Sequence, residues 1–171
     1  MTKDGGAVMY YPYYFDYRDH SNEVISDLSI YTFPKNYQHG LKLIRDALGG
    51  ERHDELFYSY LLSIAPNEEA NHIISRIRDD ELKHNKMFRT IYFQLTGQYL
   101  PYGEDEAFVK PESYCEGLKT ALLGELGAVE RYRQILFAME NPVHANMLIE
   151  IITDELKHSG LYNMLMTLNK C

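Results

Sequence analysis

Apolar positions recur at alternating four- and three-residue steps along most of the chain, the spacing of a helix that buries one stripe. Ile74, Ile77, Glu81, His84, Phe88, Ile91 and Leu95 form one such line, and Leu148, Ile151, Glu155, His158, Tyr162 and Leu165 form another. Further lines run through Leu118, Leu122, Glu125, Val129, Tyr132, Leu136 and Met139, and through Ile44, Leu48, Glu51, Glu55, Tyr58, Leu62 and Ala65. Four long helices are predicted. The first spans about residues 36–65 and stops at Pro66. The second is capped by Asn67 and ends near Gly97. The third opens around Pro111 and runs to about Glu140, and the fourth starts from Asn141 with Pro142 in its first position.

The string Asp80-Glu81-Leu82-Lys83-His84 returns as Asp154-Glu155-Leu156-Lys157-His158, a shift of 74 positions that also superposes Glu51 on Glu125 and Tyr58 on Tyr132. Residues 36–97 and 111–171 thus read as two copies of a helical hairpin, joined by a polar crossover at 98–110. A helix of about 28 residues is about 42 Å long, and some 14 extended residues reach about 45 Å. The crossover can therefore run the length of the bundle, which leaves the second and third helices parallel. Residues 1–35 differ in kind. Tyr10, Tyr11, Tyr13, Tyr14, Phe15 and Tyr17 cluster there, and Val24, Ile25, Leu28 and Ile30 suggest a short amphipathic piece lying on the bundle or on a neighbouring subunit of a homo-oligomer.

Charge and composition remove several function classes. A formal charge of −8 without any basic run disfavours nucleic-acid and anionic-membrane partners. No apolar run reaches membrane-spanning length and the start lacks a signal-peptide pattern, so a cytoplasmic protein is expected. Cys115 and Cys171, without a Cys-x-x-Cys, cannot build a zinc knuckle or a rubredoxin-like iron site, and are expected to be reduced and incidental.

The repeated polar residues carry the chemistry. Glu51 and Glu81 each lie fifteen positions from Pro66, and Glu125 and Glu155 each lie fifteen from Glu140. All four carboxylates are thus expected about 22 Å from their turns, at one height on inward stripes. Four buried carboxylates repel unless cations lie among them, and Glu-x-x-His places an oxygen and a nitrogen one turn apart on the same face. Glu51, Glu81, His84, Glu125, Glu155 and His158 are therefore candidate ligands of two divalent transition-metal ions, iron or manganese from the mixed oxygen and imidazole set. Tyr58 and Tyr132 are candidates to hydrogen-bond the ligand carboxylates. Asp80 and Asp154 are candidates to orient the imidazoles. Asp54 and Glu55, within one turn of Glu51, are candidate extra carboxylates. The alternative, surface charges kept alike only by duplication, would turn these residues outward. His20, His39, His53, His72 and His144 lack repeat partners and are assigned to surface or capping roles.

With these residues in place the chain resembles the ferritin-like superfamily, and within it the rubrerythrin-type di-iron domain. Glu51-x-x-Asp54-x-x-x-Tyr58 and Glu125-x-x-Ala128-x-x-x-Tyr132 resemble its single-glutamate helices, and Glu81-x-x-His84 and Glu155-x-x-His158 its paired-ligand helices. The resemblance implies an all-α, ferritin-like four-helix bundle with a non-haem di-iron or di-manganese centre, an oxidoreductase acting on hydrogen peroxide or dioxygen. Two departures stand out: no rubredoxin-like module is present, so an external electron donor is implied, and Ala128 stands where rubrerythrins usually carry another glutamate. The Tyr-rich segment is similar to that of ferritin-like proteins described as spore-coat components, which implies an alternative structural or metal-binding role.

Overall fold

The computed structural model describes residues 24–102 and 108–171. Among these the chain is all helical, with no strand. A 3-10 turn at Ser29–Tyr31 precedes α1 (Tyr37–Gly49), α2 (Glu51–Ser63), α3 (Glu68–Thr96), α4 (Tyr114–Phe137) and α5 (Pro142–Leu168). No described helix is long and apolar enough to cross a membrane.

Local chemistry explains most boundaries. Asn67 accepts a bond from the Ala70 amide at the head of α3, and Asn141 accepts from Val143 ahead of Pro142. Gly97 ends α3 with φ of 70°, a left-handed conformation that glycine adopts without steric cost. Two boundaries differ from the pattern-based reading. Helix α4 starts later than expected, at Tyr114, because Ser113 accepts from the Glu116 amide in a Ser-x-x-Glu cap. The expected first helix is also divided, since the poor helix formers Gly49 and Gly50 fall together and Gly50 separates α1 from α2.

Hydrogen bonds between helices give their directions. Tyr37 Oη donates to the Leu95 carbonyl at 3.3 Å while Asn71 Nδ2 donates to that of Leu62 at 3.3 Å, so α1–α2 and α3 are antiparallel. His39 meets Gln134 at 2.9 Å and Tyr60 Oη donates to the Pro111 carbonyl at 3.4 Å, which sets α4 antiparallel to α1–α2 as well. Helices α3 and α4 therefore point the same way. His144 Nε2 lies 2.7 Å from Gln94 Oε1 and Lys157 Nζ donates to Asp80 at 2.9 Å, so α3 and α5 oppose each other.

The core is two apolar clusters. One holds Leu41, Ile44, Leu48, Phe88, Ile91, Ile135, Leu148 and Ile151; the other holds Phe57, Leu61, Ile74, Ile77, Leu118, Tyr162 and Leu165. Burying each large side chain contributes about 1.5–3 kcal/mol, which supports the polar layer held between them. The inward stripes expected for α3 and α5 are buried along most of their length. That of α4 is rotated from expectation and runs through Leu118, Ala121, Glu125, Ala128 and Ile135, leaving Leu122 and Val129 only half-buried.

Of three further expectations, one is narrowed and two are corrected. Val24, Ile25, Leu28 and Ile30 of the expected short amphipathic piece stand exposed on this chain, and the segment meets the bundle through Tyr31, its ring 5.0 Å from that of Phe137, and through buried Asn36, whose Nδ2 donates to the carbonyls of Ile30 and Phe137. Cys115 and Cys171 are not free thiols but form a disulfide joining the head of α4 to the end of the chain, with Cα atoms 5.3 Å apart. His144, assigned to the surface, is buried and bridges α5 to α3 through Gln94. The tyrosine cluster at 10–17, His20 and the acidic part of the crossover lie outside the described residues.

Candidate metal centre

Five of the six expected ligands gather between the two clusters. Glu81, Glu125, Glu155 and His158 bring ligand atoms within 4.8 Å of one another. His84 joins them, its Nδ1 being 3.1 Å from Glu155 Oε1 and 3.5 Å from Glu81 Oε2, while His158 Nδ1 is 3.1 Å from Glu81 Oε1 and 3.7 Å from Glu125 Oε2. Both imidazoles are fully buried, their rings 5.9 Å apart.

The two aspartates act across the repeat. His84 Nε2 meets Asp154 Oδ2 at 3.2 Å and His158 Nε2 meets Asp80 Oδ2 at 3.1 Å, so each half orients the imidazole of the other. With Nε2–H donated to a carboxylate, Nδ1 of each ring is aimed at the centre. Lys157 donates to Asp80 at 2.9 Å and to Asp154 at 2.6 Å, so this outer acidic pair already has its cation.

The sixth expected ligand is elsewhere. Glu51, at the head of α2, takes a two-pronged ion pair with Arg89, whose Nε donates to Oε1 at 3.1 Å and whose Nη2 contacts Oε2. Arg89 is held in turn by the Leu100 carbonyl at 2.6 Å and by the Tyr102 ring, 4.4 Å away. Sequence reasoning did not single out Arg89, although the repeat contains a signal: position 163, its counterpart, is Asn. Glu55 is turned outward to Arg52. Asp54 stands at the mouth of a cavity that reaches Glu81, Glu125 and Glu155, paired with His53 at 3.7 Å.

Electrostatics reflects the crowding. Burial alone would lower both imidazoles, yet the facing carboxylates overrule it, Glu155 and Glu81 for His84 and Glu125 and Glu81 for His158, and lift each to about 10. Burial, reinforced by the charges of Glu155 and Glu81, pushes Glu125 up to about 9. Burial also acts upward on Glu81, but His158 and His84 outweigh it and hold the group below its usual value. The phenols of Tyr58 and Tyr162 beside this layer are pushed well above their usual value, mainly by burial. Tyr132 shifts the same way through burial and the charge of Glu155.

The donor set is one that could hold a cation. Glu81 Oε1, Glu155 Oε1, His84 Nδ1 and His158 Nδ1 are buried, converge on one volume, and have no partner in hydrogen-bonding geometry. They lie in pairs 3.1 Å apart, His84 Nδ1 by Glu155 Oε1 and His158 Nδ1 by Glu81 Oε1, so in the metal-free protein each imidazole faces a carboxylate as an ion pair without good hydrogen-bond geometry. A divalent ion with oxygen and imidazole affinity would bond to them together once the imidazole protons leave.

No protein-family model and no solved structure matches the chain. It is similar to a Bacillus subtilis (strain 168) protein described as "Uncharacterized protein YhjR", 28% identical over 134 residues, which cover 77% of this chain and 91% of that protein.

Proposed function

We propose that the protein is a ferritin-like, non-haem dinuclear metal protein, an oxidoreductase that acts on hydrogen peroxide or dioxygen with electrons from an external donor. The observation that carries the reading is the convergence of buried oxygens of Glu81 and Glu155 on the Nδ1 atoms of His84 and His158, each imidazole backed by an aspartate of the other repeat. The helix directions support it, since parallel α3 and α4 are the geometry of a bundle with one long crossover. Glu81, His84, Glu125, Glu155 and His158 would hold the ions, and Glu51 would complete the set on leaving Arg89. Bound iron or manganese supplies electron transfer to the oxidant. The chain's own part is to orient the imidazoles through Asp80 and Asp154, keep the phenols of Tyr58 and Tyr162 neutral, and surround the layer with apolar side chains that limit water. The test is elemental analysis followed by peroxide addition to the iron-loaded protein. Two metals per chain and a new near-ultraviolet absorption with turnover are expected; metal-free protein, or loaded protein inert to peroxide and dioxygen, would refute the redox reading.

One observation favours a second, structural reading. With Glu51 held by Arg89, all five gathered ligands come from α3, α4 and α5, so a bound ion could serve as a staple of three helices. That reading expects metal-dependent stability without turnover.

A further inference from the structure

The cavity leading from solvent to the carboxylates is asymmetric in a way the repeat makes visible. It has a volume of about 200 Å³ and lies between α2 and α4. Positions 57 and 131, equivalent under the shift of 74, both line it, and one is Phe while the other is Arg. Phe57 on α2 thus faces Ala121 and Ala128 on α4, and these three make the apolar part of the lining. Arg131, one turn beyond Ala128 on α4, is exposed and makes no ion pair with any described residue; its Nη1 stands 3.1 Å from where a Gly127 Cβ would be, and the guanidinium is 6.0 Å from the Tyr132 ring. Asp54 also lines the cavity, 3.7 Å from His53, a contact that is an ion pair only when the imidazole is protonated. The floor is formed by Glu125 and Glu155, whose side chains are at least nine-tenths buried, and the Glu155 Oε1 atom has no hydrogen-bond partner.

We propose that this cavity binds a small organic monocarboxylate, its apolar body against Phe57, Ala121 and Ala128 and its carboxylate on Arg131. The inference rests on the metal-centre reading in one respect: cations at the floor cancel the glutamate charge that would otherwise repel an anion. Size limits the ligand to about one aromatic ring and its substituent, since an apolar cavity of about 150 Å³ accepts benzene. Charge selects among molecules of that size, because a guanidinium gives a carboxylate a charge-assisted hydrogen bond and a neutral amide a weaker one. Gly124 keeps the entrance open. A Cβ added there meets nothing within 4 Å, so the side chain it lacks is space left to the cavity.

The experiment titrates metal-loaded protein with benzoate and with benzamide by calorimetry, and metal content is measured on the same samples. Benzoate is expected to bind about tenfold more tightly than benzamide. Arg131→Gln should abolish that preference. Gly124→Leu should suppress binding of both probes while leaving metal content unchanged, and its thermal melt confirms that it folds. Equal affinity for the two probes, a preference that survives Arg131→Gln, or undiminished binding to Gly124→Leu would each overturn the proposal. Metal uptake without benzoate binding removes the cavity assignment and leaves the metal centre standing. Protein that takes up no metal and binds no benzoate removes the centre and the cavity assignment with it, whereas benzoate binding without metal overturns the stated role of the cations.

Discussion

Arg89 holds Glu51 in a two-pronged ion pair, whereas Glu125, its counterpart in the second repeat, lies 3.7 Å from His158 in the central layer. The difference follows from one substitution, because the position equivalent to Arg89 is Asn163, which carries no charge to draw a carboxylate away. Replacing Arg89 with Gln should therefore lower the stability of the metal-free protein by about 1–3 kcal/mol, the cost of a mostly buried carboxylate losing its partner. The same change should tighten metal binding by releasing Glu51. Paired measurements of melting temperature in chelator and of metal affinity check this; lower stability without tighter binding would mean that Glu51 is not a latent ligand.

Removal of a central ligand should act through the metal. Glu81→Ala is expected to reduce metal content and to erase the difference in melting temperature between loaded and chelated protein, since binding to the folded state alone stabilises it. Glu51→Ala should have the smaller effect on metal content. Elemental analysis of both variants, purified in parallel, reads the contrast.

The metal-free protein should lose stability as pH rises. His84 and His158 hold their protons up to about 10 when folded against an ordinary 6.5, so their contribution is fully present below 6.5 and disappears as pH climbs through 10. Glu125, raised from 4.5 to about 9, acts with the same sign over its own window. Glu81 is lowered and opposes them only at acid pH, where its contribution is lost as pH falls. Melting in chelator should thus occur at a lower temperature at pH 9 than at pH 6.5. Metal uptake must expel the protons on Nδ1 of both imidazoles and on Glu125, so metal affinity should rise over the same interval and weakly buffered solutions should acidify on loading.

The disulfide closes a span of 56 residues that contains both helices of the second hairpin. The chain-entropy model assigns such a cross-link roughly 4 kcal/mol, and measured losses commonly fall between about 2 and 5. Cys115→Ser should lower the melting temperature of oxidised protein to that of wild type in reductant. Alkylation followed by mass measurement establishes which state is present.

Gly40 marks a tight crossing. A Cβ there would sit 2.7 Å from the Ala138 Cβ, an atom with no flexible stem to move aside. Gly40→Ala should destabilise the protein by about 1–3 kcal/mol through overpacking, outweighing the gain of up to about 1 kcal/mol in helix propensity. Denaturant unfolding of the variant gives the sign directly.

What sequence by itself determined is whatever depends on neighbours one or two helical turns away. The caps at Asn67 and Asn141, the stop at Gly97 and the inward stripes that carry His84, Glu155 and His158 all follow from residue type and period, and the repeat shows which polar residues belong together. Tertiary structure alone decided the contests between partners. Glu51 faces Arg89 because a guanidinium 38 residues away competes for it, His84 leans on Asp154 rather than on its neighbour Asp80, and the two cysteines meet across 56 residues. The period carried the first helix unbroken through Gly49 and Gly50, where the structure divides it. Periodicity states which face a side chain is on; the angle and distance at which two faces meet come from packing the whole bundle, and a buried carboxylate goes to whichever cation that packing brings within reach.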